Sequence, residues 1–215
     1  MSAPVFAQIR LAAVAACALV LCAAPAHARP IRGQGTWETT LQPRDIDGDG
    51  VVDAFYDTDL DITWSAVPTA SGKDKWTNIQ EWVGQLRIQG VKGWRLPHFN
   101  DPQALCDYSE TGGTNCGYKP DPATSEMAHM YYVTLGNKGA PDAGYGLANT
   151  GPFRAFTAWV YWTDTKYNDP TGEVWSFQWQ EGRQQRHKHK FPFFGWAVHD
   201  GDVPHKNQPD NHAPR

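Results

Sequence analysis

The chain has 215 residues, 10 of them Trp, and its 19 basic and 23 acidic residues give a formal charge of -4 at pH 7. That mildly acidic balance argues against general nucleic-acid binding, which needs a basic footprint. The length suits one domain, able to bury roughly 70% of its unfolded surface.

The first 28 residues read as an export signal. Arg10 gives a weakly positive start, and residues 11–24 are an apolar run too short for a stable bilayer anchor. Ala26-His27-Ala28 has the small-x-small form of a cleavage site. Val14-Ala15-Ala16-Cys17 has the shape of a lipobox, but the apolar stretch continues past Cys17. No later segment is long and apolar enough to span a membrane, so the mature chain is expected to be secreted or periplasmic. Two of the 4 Cys leave with the signal. Cys106 and Cys116 remain as an even pair in an exported chain, which reads as one disulfide. Closing so short a loop stabilises by roughly 2–3 kcal/mol in the chain-entropy picture. Two reactive thiols are the alternative, disfavoured in an oxidising compartment.

Residues 29–35 read as a short flexible leader, and residues 36–41 have strand composition. An acidic loop runs from Asp45 to Asp57. Leu60, Ile62 and Trp64 then alternate with polar residues, which predicts a strand with one buried face. Trp76, Ile79, Val83 and Leu86 recur at helical spacing, with Thr77 and Gln80 as a capping box and Gly90 as the stop. Asp101-Pro102 predicts a second short helix to about Tyr108. Residues 125–135 predict a third, with Met127, Met130, Tyr131 and Leu135 as its apolar stripe and Gly136-Asn137 as its end. Residues 137–152 form a long Gly-, Pro- and Asn-rich loop. Three strands follow, at 160–162, at 174–179, where Trp175, Phe177 and Trp179 share a face, and at 193–198. The first and last strands are expected to meet. Residues 204–215 are polar and Pro-rich and read as a disordered tail. The pattern predicts an α+β fold in one domain over 36–203, with two to three helices and a small antiparallel sheet.

Three tryptophan strings stand in order: Gly93-Trp94-Arg95-Leu96-Pro97, Tyr161-Trp162-Thr163-Asp164-Thr165, and Gly195-Trp196-Ala197-Val198 with Gly201-Asp202-Val203 behind it. In this order the chain resembles the Lcl C-terminal domain family, a domain of unknown function named after a bacterial collagen-like adhesin. The likeness runs from about Trp37 to Val203. Ser125-Glu126-Met127-Ala128-His129 and Gly151-Pro152-Phe153 are similar to an exported subgroup whose members often end in a Pro-Glu-Pro sorting tail, which is missing here. The resemblance implies a C-type-lectin-like fold. It also implies glycan binding or adhesion, because the namesake adhesin binds sulfated polysaccharides, and homo-oligomers such as a trimer. Trp94, Arg95, Leu96, Pro97, Trp162 and Trp196 are expected to be scaffold, with the three Trp in one core. His199 departs from the Arg usual at that place, which would weaken ion pairing there.

Two segments could carry chemistry. Asp45, Asp47 and Asp49 occupy alternate positions before Gly50, as in a calcium loop, with the Val51 carbonyl and Asp53 as further ligands. Position twelve is Tyr56, and Asp57 sits one residue late. The readings are a structural Ca²⁺ site or a solvated acidic turn. Arg183, Arg186, His187, Lys188, His189 and Lys190 form the one basic cluster, expected in a hairpin loop between strands. It could attract an extracellular glycan or other anionic polysaccharide through sulfate or carboxylate groups, or be a solvated loop that resists edge pairing. Trp159, Trp175, Trp179 and Tyr167 are candidate sugar platforms, although most Trp should be core. Gln208-Pro209-Asp210 copies a lectin tripeptide without its partner motif and reads as chance. No serine-hydrolase, zinc-protease or phosphate-loop motif occurs. Formylglycine-generating chemistry would need reactive cysteines. The chain is therefore expected to be a non-enzymatic binding module, with a self-assembling surface protein as the alternative.

Overall fold

The computed structural model describes residues 28–107, 114–167 and 170–205. Most of the expected export signal, residue 108 of the second expected helix and nearly all of the expected tail, with Gln208-Pro209-Asp210, lie outside them. In chain order the elements are α1 Trp37–Thr40, β1 Leu41–Arg44, β2 Ala54–Asp57, β3 Ile62–Ser65, β4 Lys73–Asp74 and α2 Trp76–Gln85. There follow β5 Cys106–Asp107, β6 Cys116–Tyr118, α3 Glu126–His129, β7 Val160–Lys166, β8 Glu173–Gln178, β9 Arg183–Lys188, β10 Phe193–Gly195 and β11 Val198–Asp200. The fold is α+β.

The expected small sheet is two sheets. One is antiparallel, in the order β1-β2-β3-β11, and the other is mixed, in the order β4-β10-β7-β8-β9-β6-β5. In the mixed sheet β10 runs parallel to β7, and β5 parallel to β6. The first and last strands share a sheet but stand at its opposite edges. The closing string makes the link between the sheets: Gly195 ends β10, Val198 begins β11, and Trp196 lies between them with its indole N–H donating to Ser65 O at 2.9 Å. A Cβ at Gly195 would collide with Ile79 and Leu96, so this crossing requires glycine.

Local expectations fail where long-range contacts outweigh propensity. Residues 29–35 are docked: Ile31 N donates to Asn149 Oδ1 at 2.8 Å, and Gln34 Nε2 to Leu135 O at 3.1 Å. Gly35, at φ 72°, passes so close to Thr134 O that no side chain fits, and the chain then turns into α1 where a strand was expected. Thr77 is no cap. Helix α2 starts two residues earlier than a Thr77 cap implies, with Lys75 at the N-cap, and Trp76 N donates to His189 O at 2.8 Å. It stops at Gln85, where the Arg87 guanidinium donates to Gln85 O and Leu86 O, two carbonyls of the helix end. No helix opens at Asp101. Ala104 N closes a turn on Asp101 O at 3.0 Å, and Cys106 then enters β5, disulfide-bonded to Cys116. The third expected helix holds, as α3 continued by a π-helical turn over Met130–Thr134. Ser125 Oγ caps it by accepting from Ala128 N, and Gly136 at φ 62° ends it.

Both β3 and β8 have two buried faces where one was expected, because each lies inside its sheet and is covered on both sides. The apolar interior is divided. Trp64, Tyr131, Phe177, Trp179 and Trp196 form one cluster, and Ile79, Val83, Trp94, Leu96 and Trp162 another. The three signature Trp are thus all buried, but not in one core.

Candidate functional site

The signature strings are joined by a polar knot around Arg95. Its backbone pairs with Val198 in both directions. Its guanidinium forks onto Glu126, with Nη1 to Oε2 at 2.9 Å and Nη2 to Oε1 at 2.8 Å. Nε and Nη2 reach Asp200 Oδ1 at 2.8 and 2.6 Å, and Nη1 also reaches Leu96 O at 3.0 Å. Glu126 Oε2 accepts from His98 N, and His98 Nδ1 lies 2.8 Å from Asp164 Oδ1, the Asp of the second string. One arginine therefore couples the 93–97 string, the start of α3 and the closing string. Burial opposes its charge, but the hydrogen bonds and charges of Glu126 and Asp200 raise its pKa well above normal. His199 packs edge-on against Trp94, with centroids 5.6 Å apart, and its Nδ1 has no hydrogen-bond partner among the described residues. It is not a weak stand-in for an ion-pairing Arg, since Asp200 is already held by Arg95.

The acidic loop brings only part of its expected ligand set together. One ligand atom each of Asp45, Asp47 and Asp49 falls within 4.8 Å of the others. Asp45 also accepts from Gly48 N and Gly50 N at 2.8 Å, and Asp49 from Val51 N at 2.8 Å. The two remaining carboxylates turn away. Asp53 accepts from Ile46 N at 2.9 Å and from Gln89 Nε2 at 3.3 Å. Asp57, the last residue of β2, is buried, accepts from Asp59 N and the Trp64 indole, and has its pKa raised chiefly by desolvation. Its place in the calcium set is lost because a paired strand, not a loop, carries it. Val51 is exposed, and its amide is engaged with Asp49.

The basic cluster is not a hairpin loop. Residues 183–188 are β9, paired with β8 along its whole length and with β6 at its start. Strand alternation then splits the charges, because successive side chains point to opposite faces. Arg183 and His187 share a face with Gln178 and Val174, and Arg186 and Lys188 share the other with Trp175 and Glu173. Arg183 Nη2 donates to Gln178 Oε1 at 2.9 Å and lies 3.3 Å from Glu181. His187 is held among Trp162, Phe191 and Phe193, with Nδ1 at 2.8 Å from Ser176 Oγ, and burial pulls its pKa down to about 4. It is a neutral packing group, not a basic site residue. His189 and Lys190 are exposed beyond the strand end.

The second face of β9 leads to a cleft that sequence spacing could not show. Trp76, Thr77, Lys166, Tyr167, Glu173 and His189 line a depression of about 280 Å³. Lys166 Nζ lies 4.9 Å from the Trp76 ring centroid, and Arg186 Cζ 3.8 Å from that of Tyr167. Glu173 is 3.9 Å from Arg186 and 3.7 Å from Lys188. Among the described residues that line the depression, Lys166, His189 and Glu173 thus stand around two aromatic rings, with Arg186 and Lys188 next to it. Of the candidate sugar platforms, Trp175 and Trp179 are fully buried and Trp159 is exposed beneath Lys73, so Tyr167 alone opens on this cleft.

Two sheets joined by buried Trp strings, an arginine knot and one disulfide define a class of compact α+β domain. A family model described as the Lcl C-terminal domain matches residues 53–199, and the chain belongs to that family. The match is narrower than the likeness read from the strings. It includes all three strings and β9 and leaves Asp45, Asp47 and Asp49 outside. No curated protein and no solved structure matches the chain. No helix among the described residues is long and apolar enough to cross a membrane.

Proposed function

We propose that this chain is an exported, non-enzymatic binding module that holds acidic glycans in the Trp76–Tyr167 cleft. The observation that carries the reading is that Lys166 and His189 line this depression together with the rings of Trp76 and Tyr167, while Arg186 packs on Tyr167 beside it. Ring faces suit the C–H surface of a sugar, and the cations suit its sulfate or carboxylate. The α+β architecture is compatible with the C-type-lectin-like fold that the family resemblance implies, and that fold is part of the proposal. On a heparin or dextran-sulfate column, replacing Lys166, Arg186 and Lys188 by Ala should lower the eluting salt. Replacing Arg183, on the other face of β9, should leave it unchanged. Unchanged elution of the triple variant overturns the cleft. Elution that tracks protein concentration in a dilution series favours a self-associating surface protein instead.

A structural Ca²⁺ on Asp45, Asp47 and Asp49 is a second reading, favoured by the approach of their ligand atoms within 4.8 Å. Hard oxygens on alternate residues of a tight turn suit that ion.

A further inference from the structure

His189 is held at three points on the wall of the Trp76–Tyr167 cleft. Its backbone N–H donates to Gly172 O at 3.1 Å, and its backbone carbonyl accepts from Trp76 N at 2.8 Å. Its ring nitrogen Nδ1 lies 2.9 Å from the same Gly172 O. A carbonyl oxygen can only accept, so Nδ1 carries a proton in either charge state of the ring. The seat is built into the chain: Gly172 has φ 69°, and a Cβ there would stand 3.0 Å from Nδ1. The titrating atom is therefore Nε2, which has no hydrogen-bond partner among the described residues.

The sign of what Nε2 offers depends on its proton. Neutral, it presents a lone pair, which repels the oxygens of a sulfate or carboxylate. Protonated, it is a charged donor toward them. Histidine is the side chain that makes this change between pH 5 and 8. The charged groups around it are Lys166 at the end of β7, Glu173 at the start of β8, Asp74 and Lys75 ahead of α2, and Lys188 and Lys190 on its own segment. The acids among them are occupied. Glu173 lies 3.7 Å from Lys188 and 3.9 Å from Arg186, and Asp74 accepts from Lys75 N and Asn78 Nδ2. Among the described residues no carboxylate lies within ion-pair distance of His189, so its added charge is left for a ligand.

We propose that His189 makes the glycan cleft a pH-dependent one, which holds acidic glycans when the imidazole is protonated and releases them when it is neutral. This rests on the reading of the cleft as a glycan site. Affinity is highest below the histidine range and is lost as pH rises through it. Lysine and arginine keep their charge throughout that range, so the change belongs to His189. His187 lies on the other face of β9, and its pKa of about 4 puts its titration below the range.

The test is a calorimetric titration of the protein with a dextran sulfate oligosaccharide, whose sulfate esters stay charged throughout. Binding should be about fivefold tighter at about pH 5.5 than at about pH 7.5, as one added exposed ion pair gives. His189→Gln should bind at both pH values as the parent does at the higher one, with its melting temperature unchanged. His189→Lys, charged at both, should bind at the higher pH as the parent does at the lower. A parental pH response that survives in either variant overturns the switch and leaves the glycan site standing. If the variant with Lys166, Arg186 and Lys188 all replaced by Ala binds like the parent, the cleft reading fails and the switch falls with it.

Discussion

Arg95 and Arg186 are the same side chain in two different employments. Arg95 is half-buried and its guanidinium is distributed over two carboxylates and a carbonyl, at 2.6–3.0 Å. Arg186 lies flat on Tyr167 at the edge of a cleft, and the Glu173 carboxylate stays 3.9 Å away. The first geometry fixes chain segments to one another. The second leaves a cation on an aromatic surface where a ligand can meet it. Within this fold, arginine acts as scaffold where acids converge on it and as a recognition group where rings do.

The largest effect should come from breaking the knot. Arg95→Ala leaves Glu126 largely buried without its cation and should lower unfolding stability by about 3 kcal/mol, as seen in the urea midpoint. Arg95→Lys should not restore it, since the bidentate fork is lost. Arg186→Ala should cost less than about 1 kcal/mol, because the Glu173 carboxylate stays 3.9 Å away and makes no bidentate hydrogen bonds to it. Equal losses at the two sites would dissolve the distinction.

The pH response sharpens it further, because His187 is the half-buried histidine of the basic strand, packed among aromatic rings. Its pKa falls from the ordinary histidine value of 6.5 to about 4 in the fold. Between these values the unfolded chain binds a proton that the folded chain does not. This stability is therefore complete above about pH 6.5 and is lost as pH falls toward about 4. Urea midpoints at pH 7 and pH 5 should converge in His187→Gln relative to the parent. Unaltered pH dependence in that variant would place His187 outside the packed interior.

Smaller effects separate the acidic loop from both arginines. Chelator should lower the melting temperature by a few degrees, and Asp47→Ala should abolish that response while leaving the Arg95 knot intact. A melt indifferent to chelator removes the metal reading. Smallest of all is the contrast along β9: Arg186→Ala should lower eluting salt on heparin slightly, and Arg183→Ala not at all. The reverse order would mean that the face carrying Gln178 is the one that binds.

Much of the scaffold was legible in the chain. The stripe Met127, Met130, Tyr131 and Leu135 is fully buried, and Cys106 and Cys116 are joined. Helical periodicity and an even cysteine pair are local signals, and local signals survive folding when tertiary contacts agree with them. The candidate site was not legible. Its residues lie at 76–77, 166–167, 172–174 and 189, and nothing in their spacing announces a cleft. The basic cluster was visible as composition, but a strand and a loop of that composition look alike until their neighbours are known. Pairing with β8 made it a strand and sent its charges to opposite faces.

By itself, then, the sequence determined the class of fold, the buried tryptophan strings and the family, because these rest on residue type and order. The tertiary structure alone decided that Arg95 meets acids 31 and 105 residues away, that Trp94 and Trp196 lie in separate clusters, and that the charges of the basic strand divide between two faces. Those outcomes depend on which strands pair and in what register. Shifting a strand by one residue keeps its composition and reverses every side chain.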